Sequence, residues 1–138
     1  MIRREEGLIE IFNRIKDNRL VLGLVSFQRS PTNPIDFTVM PSLFMLEGTD
    51  IIVTPSKRGP NVYPARRQLE VTLELVTSSS VNIRALLLQL RVVVLTDTVV
   101  AQNTFIQELR AEGPNGYGIP DVLGMRLVLG LMYTDEGV

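Results

Sequence analysis

The segment from Gln68 to Val76 alternates between apolar and polar side chains, and this pattern constrains the fold more than any other feature. The apolar positions are Leu69, Val71, Leu73 and Leu75, and the polar positions are Gln68, Glu70, Thr72 and Glu74. Successive side chains of a strand point to opposite faces, so the pattern predicts a strand with one face on a core and the other in water. A sheet that helices cover on one face satisfies this requirement.

Two other segments have the pattern of helices that would cover such a sheet. Residues 3–16 place their apolar side chains on one helical face: Leu8, Ile11, Phe12 and Ile15. Lys16 stands in the last turn of this segment, where the helix dipole favours a cation. Residues 81–95 follow Ser80, a residue type common at helix N-caps, and are apolar nearly all round. They predict a second, largely buried helix.

The remaining apolar segments predict the other strands. Leu20–Phe27 is apolar on both faces, which indicates a buried strand or a surface that a partner covers. Met40–Val53 predicts a strand, a turn near Gly48 and a short further strand. The last two strands are expected at Thr104–Glu112 and Val122–Tyr133, on either side of a turn rich in glycine and proline.

Chain length and element order together predict the fold class. With 138 residues, 45% of them hydrophobic, the chain has the size of one domain with a substantial core. We expect residues 1–138 to form an α+β domain, with a mixed or antiparallel sheet and two helices packed on one face. In the closing strand Gly124 and Gly130 share the face opposite the leucines, which permits the close approach of a neighbouring group.

The residue types that carry most enzyme chemistry are missing. The sequence has no histidine and no cysteine, which excludes the usual general base near neutral pH, thiol nucleophiles and thiolate metal sites. A hydrolase that uses carboxylates alone is the enzymatic alternative. Its candidate pairs are Glu47 with Asp50, Glu70 with Glu74, and Asp135 with Glu136. Each pair has an ordinary turn, surface or tail role, so we expect no catalysis, no metal and no cofactor.

One segment is strongly basic although the whole chain has a net charge of −1. Residues 54–67, here called the basic arm, contain three prolines and no acidic residue. The positive charges of the arm are Lys57, Arg58, Arg66 and Arg67. The glycine of its SKRGP segment follows the lysine, which is not the order of a phosphate-binding loop. Any electrostatic role of the chain must therefore be local to such a segment.

No stretch of the sequence has the pattern of a membrane or targeting segment. The longest apolar run, residues 81–95, is interrupted by Asn82, Arg84, Gln89 and Arg91. The beginning of the chain is charged where a secretory signal is apolar. We therefore expect no membrane contact and a cytoplasmic location where the protein is made.

The order and length of these elements resemble the tail terminator proteins of tailed bacteriophages, the lambda-type family that caps a finished tail tube. The resemblance lies in the strand after a proline, MPSLFMLEG, a long loop, the alternating strand RRQLEVTLELV, a second helix and the final strand MRLVLGLMY. It covers nearly the whole chain, but it is one of architecture and pattern and includes no invariant signature.

The resemblance implies a structural virion protein, made in the host cytoplasm and located at the tail or neck. Such proteins form a homo-oligomeric ring, a hexamer, that binds the end of the tail tube and stops its growth. The ring presents a docking surface to the neck or head-completion protein, with possible contact to a sheath, and DNA passes through its pore as cargo. A head–tail joining protein of the neck is the closest alternative.

The basic arm has three open interpretations within such a ring. Lys57, Arg58, Arg66 and Arg67 are the candidate residues for contact with a neighbouring subunit or the tube end. They could instead line the pore, where each neutralised phosphate would strengthen the hold on DNA that has to slide past. They could also form an ordinary solvated loop. The prolines of the arm lower the entropy cost of ordering it on a partner, which favours the first interpretation.

Overall fold

Three helices lie against one five-stranded mixed sheet in the computed structural model, which describes residues 3–30, 38–54, 65–95 and 105–135. The helices are α1 (Arg4–Asp17), α2 (Arg19–Leu22) and α3 (Ile83–Leu95). The strands are β1 (Ser26–Arg29), β2 (Ser42–Thr54), β3 (Ala65–Ser78), β4 (Ile106–Gly116) and β5 (Val122–Asp135). Their order across the sheet is β1-β2-β3-β5-β4. Among the described strands, only β1 and β2 pair in parallel, and the predicted α+β class is confirmed.

The core lies between one face of the sheet and the helices. In β3 the predicted alternation is confirmed, and its buried side chains pair in register with buried side chains of β5. The pairs are Leu69 with Leu131, Val71 with Leu129, Leu73 with Leu127, and Leu75 with Met125. Burying each leucine of such a ladder contributes about 1.5–3 kcal/mol, so these two strands anchor the domain.

Helix α1 covers this face through the predicted stripe. Leu8, Ile11 and Ile15 are buried in the core, and Phe12 stacks on Phe27 of β1 with ring centroids 4.8 Å apart. Gly7 lets the helix come close to the sheet, because a Cβ built there would lie 2.5 Å from Cδ1 of Leu131.

Helix α3 is confirmed, with two differences from the sequence-based expectation. Its N-terminus is capped by Asn82, whose Oδ1 accepts a hydrogen bond from the backbone N–H of Ala85 at 3.2 Å, rather than by Ser80. The helix is also less buried than its composition predicts, because Leu88 and Val92 are exposed. These two side chains lie four residues apart and therefore share one solvent-facing side of the helix.

The expectation of a buried strand at Leu20–Phe27 is wrong. The segment instead forms the single turn of α2, ended by Gly23 with φ of 68°, and only then enters β1. Leu22 and Leu24 enter the core, while Leu20, Val21 and Val25 remain exposed. A segment of four helical residues is too short for a helical period to be seen in the sequence.

The expected turn near Gly48 is also wrong, because β2 runs unbroken through it. The pairing with β3 shifts register between Glu47 and Asp50, which marks an irregularity of the bulge type. Glycine marks turns and bulges alike, so the sequence alone does not separate them.

The β4–β5 region differs from the prediction in two respects. Strand β4 continues to Gly116, through residues that their composition assigned to a turn. The alternation of faces expected for a strand at Thr104–Glu112 is also broken, by a register shift between Glu108 and Arg110 that places Leu109 against Gly130 on the side away from the helices. The close approach predicted at Gly124 is confirmed, because the Tyr117 ring lies directly over it.

Candidate assembly site

The base of the basic arm is formed by the first residues of β3. Arg66 and Arg67 occupy its second and third positions, whereas Lys57 and Arg58 lie outside the described residues. Arg66 pairs in register with Thr54 of β2 and Thr134 of β5, at the end of the sheet from which the arm departs. Because successive side chains of a strand lie on opposite faces, the two arginines lie on opposite faces of the sheet and do not form one cationic site.

Arg67 is half-buried beside an acidic neighbour. Its Nη1 lies 3.8 Å from Oδ1 of Asp50, and the other carboxylate oxygen of Asp50 accepts a hydrogen bond from the Tyr133 hydroxyl. Burial of the Tyr133 ring, followed by this hydrogen bond, raises the pKa of Tyr133 above its usual value. The Asp50 Oδ1 atom is buried and accepts no hydrogen bond within the described residues. This cluster fixes the position of the arm base.

Arg66 is exposed, in contrast to Arg67. It projects from the face of the sheet that no described helix covers, next to Gln68 and Glu70 along the same side of β3. Of the two predicted contact residues that the structure describes, Arg66 is the one available to a partner. The alternation of β3 already separates the two arginines in the sequence, but it gives no signal of the Asp50–Tyr133 cluster, whose residues are 83 positions apart.

An exposed apolar surface lies at the junction of α2 and β1. Leu20 is 93% exposed, Val21 76% and Val25 52%, and we call these three residues the apolar turn. Arg19 holds its backbone in place, because its guanidinium donates to the carbonyl oxygens of Leu24 at 3.2 Å and Val25 at 2.5 Å. Three exposed apolar side chains close together along the chain are a type of surface that a partner can cover.

The uncovered face of the sheet carries paired charges. Arg110 of β4 contacts Glu70 at 3.2 Å and Glu112 at 2.9 Å. Glu74 of β3 is buried, contrary to the expectation that it faces water, and it accepts a hydrogen bond from the Tyr117 hydroxyl at 2.8 Å. Burial and this hydrogen bond raise the pKa of Tyr117.

A small apolar cluster explains why Glu74 is buried. Its members are Phe44, Val76 and Val122, with Met40 and Tyr117 packed beside them. Arg126 lies 3.3 Å from the Glu74 carboxylate and balances its charge. Arg110 and Arg126 of this face are therefore paired with glutamates, whereas Arg66 is exposed.

The carboxylates considered for catalysis also lie against arginines. Glu47 is 2.7 Å from Arg4 and 3.8 Å from Arg29, at the junction of α1, β1 and β2. Glu70 and Glu74 have the arginine partners given above, and Glu136 lies outside the described residues. In the described parts of the chain there is no group of three or more acidic side chains that could hold a metal ion. None of the described helices is long and apolar enough to cross a membrane.

The comparisons with known proteins give a likeness of fold. No protein-family model and no curated protein matches the sequence. A chain in the solved structure of the virion of a native gene transfer agent particle is similar, with a TM-score of 0.53 and 14% identity. The match covers 91% of this chain and 92% of that chain, so it extends over the whole architecture. At this identity it is the fold that the two chains share.

Proposed function

We propose that this protein is a structural virion protein that assembles into a ring and caps the tail tube of a phage-like particle. The observation that carries the proposal is the apolar turn, because a chain that acts alone gains nothing from exposing Leu20 almost completely on a fixed backbone. The fold shared with a chain of a gene transfer agent virion supports a place in such a particle. The proposed role is one of binding, without catalysis.

The ring is proposed as a hexamer that stops the addition of tube subunits and offers its other side to the neck protein. DNA passes through the pore without being held, and the assembled protein is located in the virion after assembly in the host cytoplasm. Two arginines of the uncovered sheet face support this, since Arg110 and Arg126 pair with glutamates. A face of free arginines would instead bind phosphates strongly.

The first test is assembly of the purified protein with its tube protein, followed by native mass spectrometry and negative-stain microscopy. We expect rings at tube ends. The variant Leu20→Asp should leave folding unchanged, since exposed substitutions usually alter stability by less than about 0.5 kcal/mol. It should weaken each contact in which a partner covers Leu20 by about 1.5–3 kcal/mol, the free energy gained by burying one leucine side chain. Ile119→Asp, at an exposed apolar side chain in the β4–β5 turn, is the matched control.

Monomers only, in the presence of tube, would contradict the ring. Rings that form but leave tube length unchanged would contradict the capping role and favour the neck protein instead. Tube length also tests the arm: reversal of Arg58 and Arg66 to glutamate should produce overlong tubes, because capping and elongation compete for one tube end. Arg67→Glu is unsuitable for this test, since it would place two acidic groups together at Asp50.

A further inference from the structure

Helices α1 and α3 leave a groove between them on the surface of the helical layer. It has a volume of about 440 Å³. The α1 side presents polar residues one helical turn apart, Glu10, Asn13 and Asp17, and the α3 side presents Val92 and Val93. One wall therefore offers carboxylate and amide oxygens, while the other is apolar.

The charges of the groove leave one carboxylate available. Arg14 also lines the groove and is nine-tenths buried, but its guanidinium already has hydrogen-bond partners. It donates to Oε1 of Glu10 at 2.9 Å and to the carbonyl oxygen of Val94 at 2.6 Å. Asp17 is exposed and has no ion pair or hydrogen bond with any residue in the described ranges. With Glu10 and Arg14 neutralising each other, Asp17 gives the groove a net negative charge.

We propose that this groove receives the central part of the basic arm, residues 55–64, of a second copy of the chain. The inference rests on the ring of the proposed function and names the contact that joins its subunits. Residues 55–64 offer two cations, Lys57 and Arg58, and no acid, together with prolines and the apolar pair Val62 and Tyr63. Asp17 complements the cations, and Val92 and Val93 complement the apolar residues.

The symmetry of a ring supports a second copy as the donor of the arm. The arm and the groove are different surfaces of one chain, so their pairing is heterologous, and a heterologous contact that closes produces a ring. The arm departs from the sheet end beside Asp50, whereas the groove belongs to the helical layer. Each subunit then gives an arm to one neighbour and receives an arm from the other.

The absence of cysteine from the sequence makes a direct cross-linking test possible. Asn13→Cys places a thiol in the groove and Ser56→Cys places one in the arm. We expect a disulfide-linked dimer when the two separately purified variants are mixed and oxidised, and little when each is oxidised alone. Rings that form without this cross-link would overturn the arm contact while leaving the proposed function intact. A cross-link within one chain carrying both cysteines, persisting at high dilution, would overturn the second-copy donor.

Charge exchange provides an independent test. Asp17→Lys should weaken assembly on the order of 10-fold, because it replaces an attraction with a repulsion at an exposed site. Arg58→Asp should have a similar effect, and the variant with both changes should recover most of the loss. Asp17 is the last residue of α1, where a lysine suits the helix dipole, so folding should be retained. Glu6→Lys, on the same helix outside the groove, is the matched control and should assemble normally.

If the chain alone stays monomeric, a peptide of residues 54–67 replaces the second copy. We expect fluorescence anisotropy to show binding that Asp17→Lys weakens and that added salt reduces. A peptide that does not bind, or that binds the Asp17→Lys variant equally well, would overturn the inference. The proposed ring itself would then be tested separately, by the tube-length assay.

Discussion

Replacing Gly7 by alanine tests the contact between α1 and the sheet, because two effects of opposite sign meet at this residue. In a helix interior, alanine is more favourable than glycine by about 1 kcal/mol. At most helical glycines this substitution would therefore be expected to stabilise the protein. Gly7, however, lies on the buried side of α1, directly over Leu131 of β5.

The position of Gly7 over Leu131 predicts that the alanine variant is destabilised. A Cβ at residue 7 would lie 2.5 Å from Cδ1 and 2.9 Å from Cδ2 of Leu131, well inside ordinary van der Waals contact. Leu131 is fully buried, so its side chain cannot move into solvent and must displace other core atoms. Overpacking of this kind costs about 1–3 kcal/mol. After the gain in helix propensity is subtracted, we expect a net destabilisation of up to about 2 kcal/mol.

Equilibrium unfolding in urea, followed by circular dichroism, measures this difference at an unchanged m-value. Asn13→Ala is the control, since it changes helix propensity at an exposed position of the same helix. The double variant Gly7→Ala with Leu131→Ala should cost less than the sum of the two single changes, because the added methyl group fills part of the cavity. A Gly7→Ala protein more stable than the wild type would refute the close packing of α1 on β5.

Three further predictions concern hydrogen bonds and protonation. Tyr117→Phe removes a hydrogen bond to the buried Glu74 carboxylate and should destabilise the protein by about 1–3 kcal/mol in urea unfolding, whereas a change below measurement error would argue against the bond. Burial and the hydrogen bonds to carboxylates raise the pKa of Tyr117 and Tyr133. The contribution of these two tyrosines to the free energy of unfolding is therefore complete below about pH 10 and is lost as the pH rises above it. Unfolding free energies between pH 8 and 11 should therefore fall, and should fall less steeply in Tyr117→Phe. Asn82→Ala removes the cap of α3 and should cost about 1 kcal/mol, while Ser80→Ala should cost little.

The periodic elements were predictable because each repeats one physical requirement several times. The apolar stripe of α1 and the alternation of β3 each indicate which face of the element packs on the core, and each pattern is repeated over several residues. The same reasoning identified β5 and its close approach at Gly124. These elements determine the layer architecture, which explains why the fold class followed from the sequence.

The features that the sequence did not predict depend on neighbours distant along the chain. Glu74 fits the polar side of an alternating strand, yet it is buried by side chains from β2 and β5. Arg66 and Arg67 are identical in type and adjacent. Strand alternation puts them on opposite faces, but only the structure shows the Asp50–Tyr133 cluster that lies beside Arg67. The groove between α1 and α3 joins two helices about 80 residues apart, as its Arg14–Val94 bond shows. The periodicity of apolar residues within one segment gives no information on contacts between distant segments.

The position of β5 in the sheet bears on when the protein can fold during its synthesis. This strand is the last described element to leave the ribosome, yet it lies between β3 and β4 and pairs with both. Until it emerges, β3 lacks one partner and β4 has no partner among the described strands. The leucines of β3 then remain without the ladder that buries them, so we expect stable folding only after translation of β5. A message truncated before that strand would yield a chain without the strand that joins β3 to β4, and we expect it not to enter an assembly.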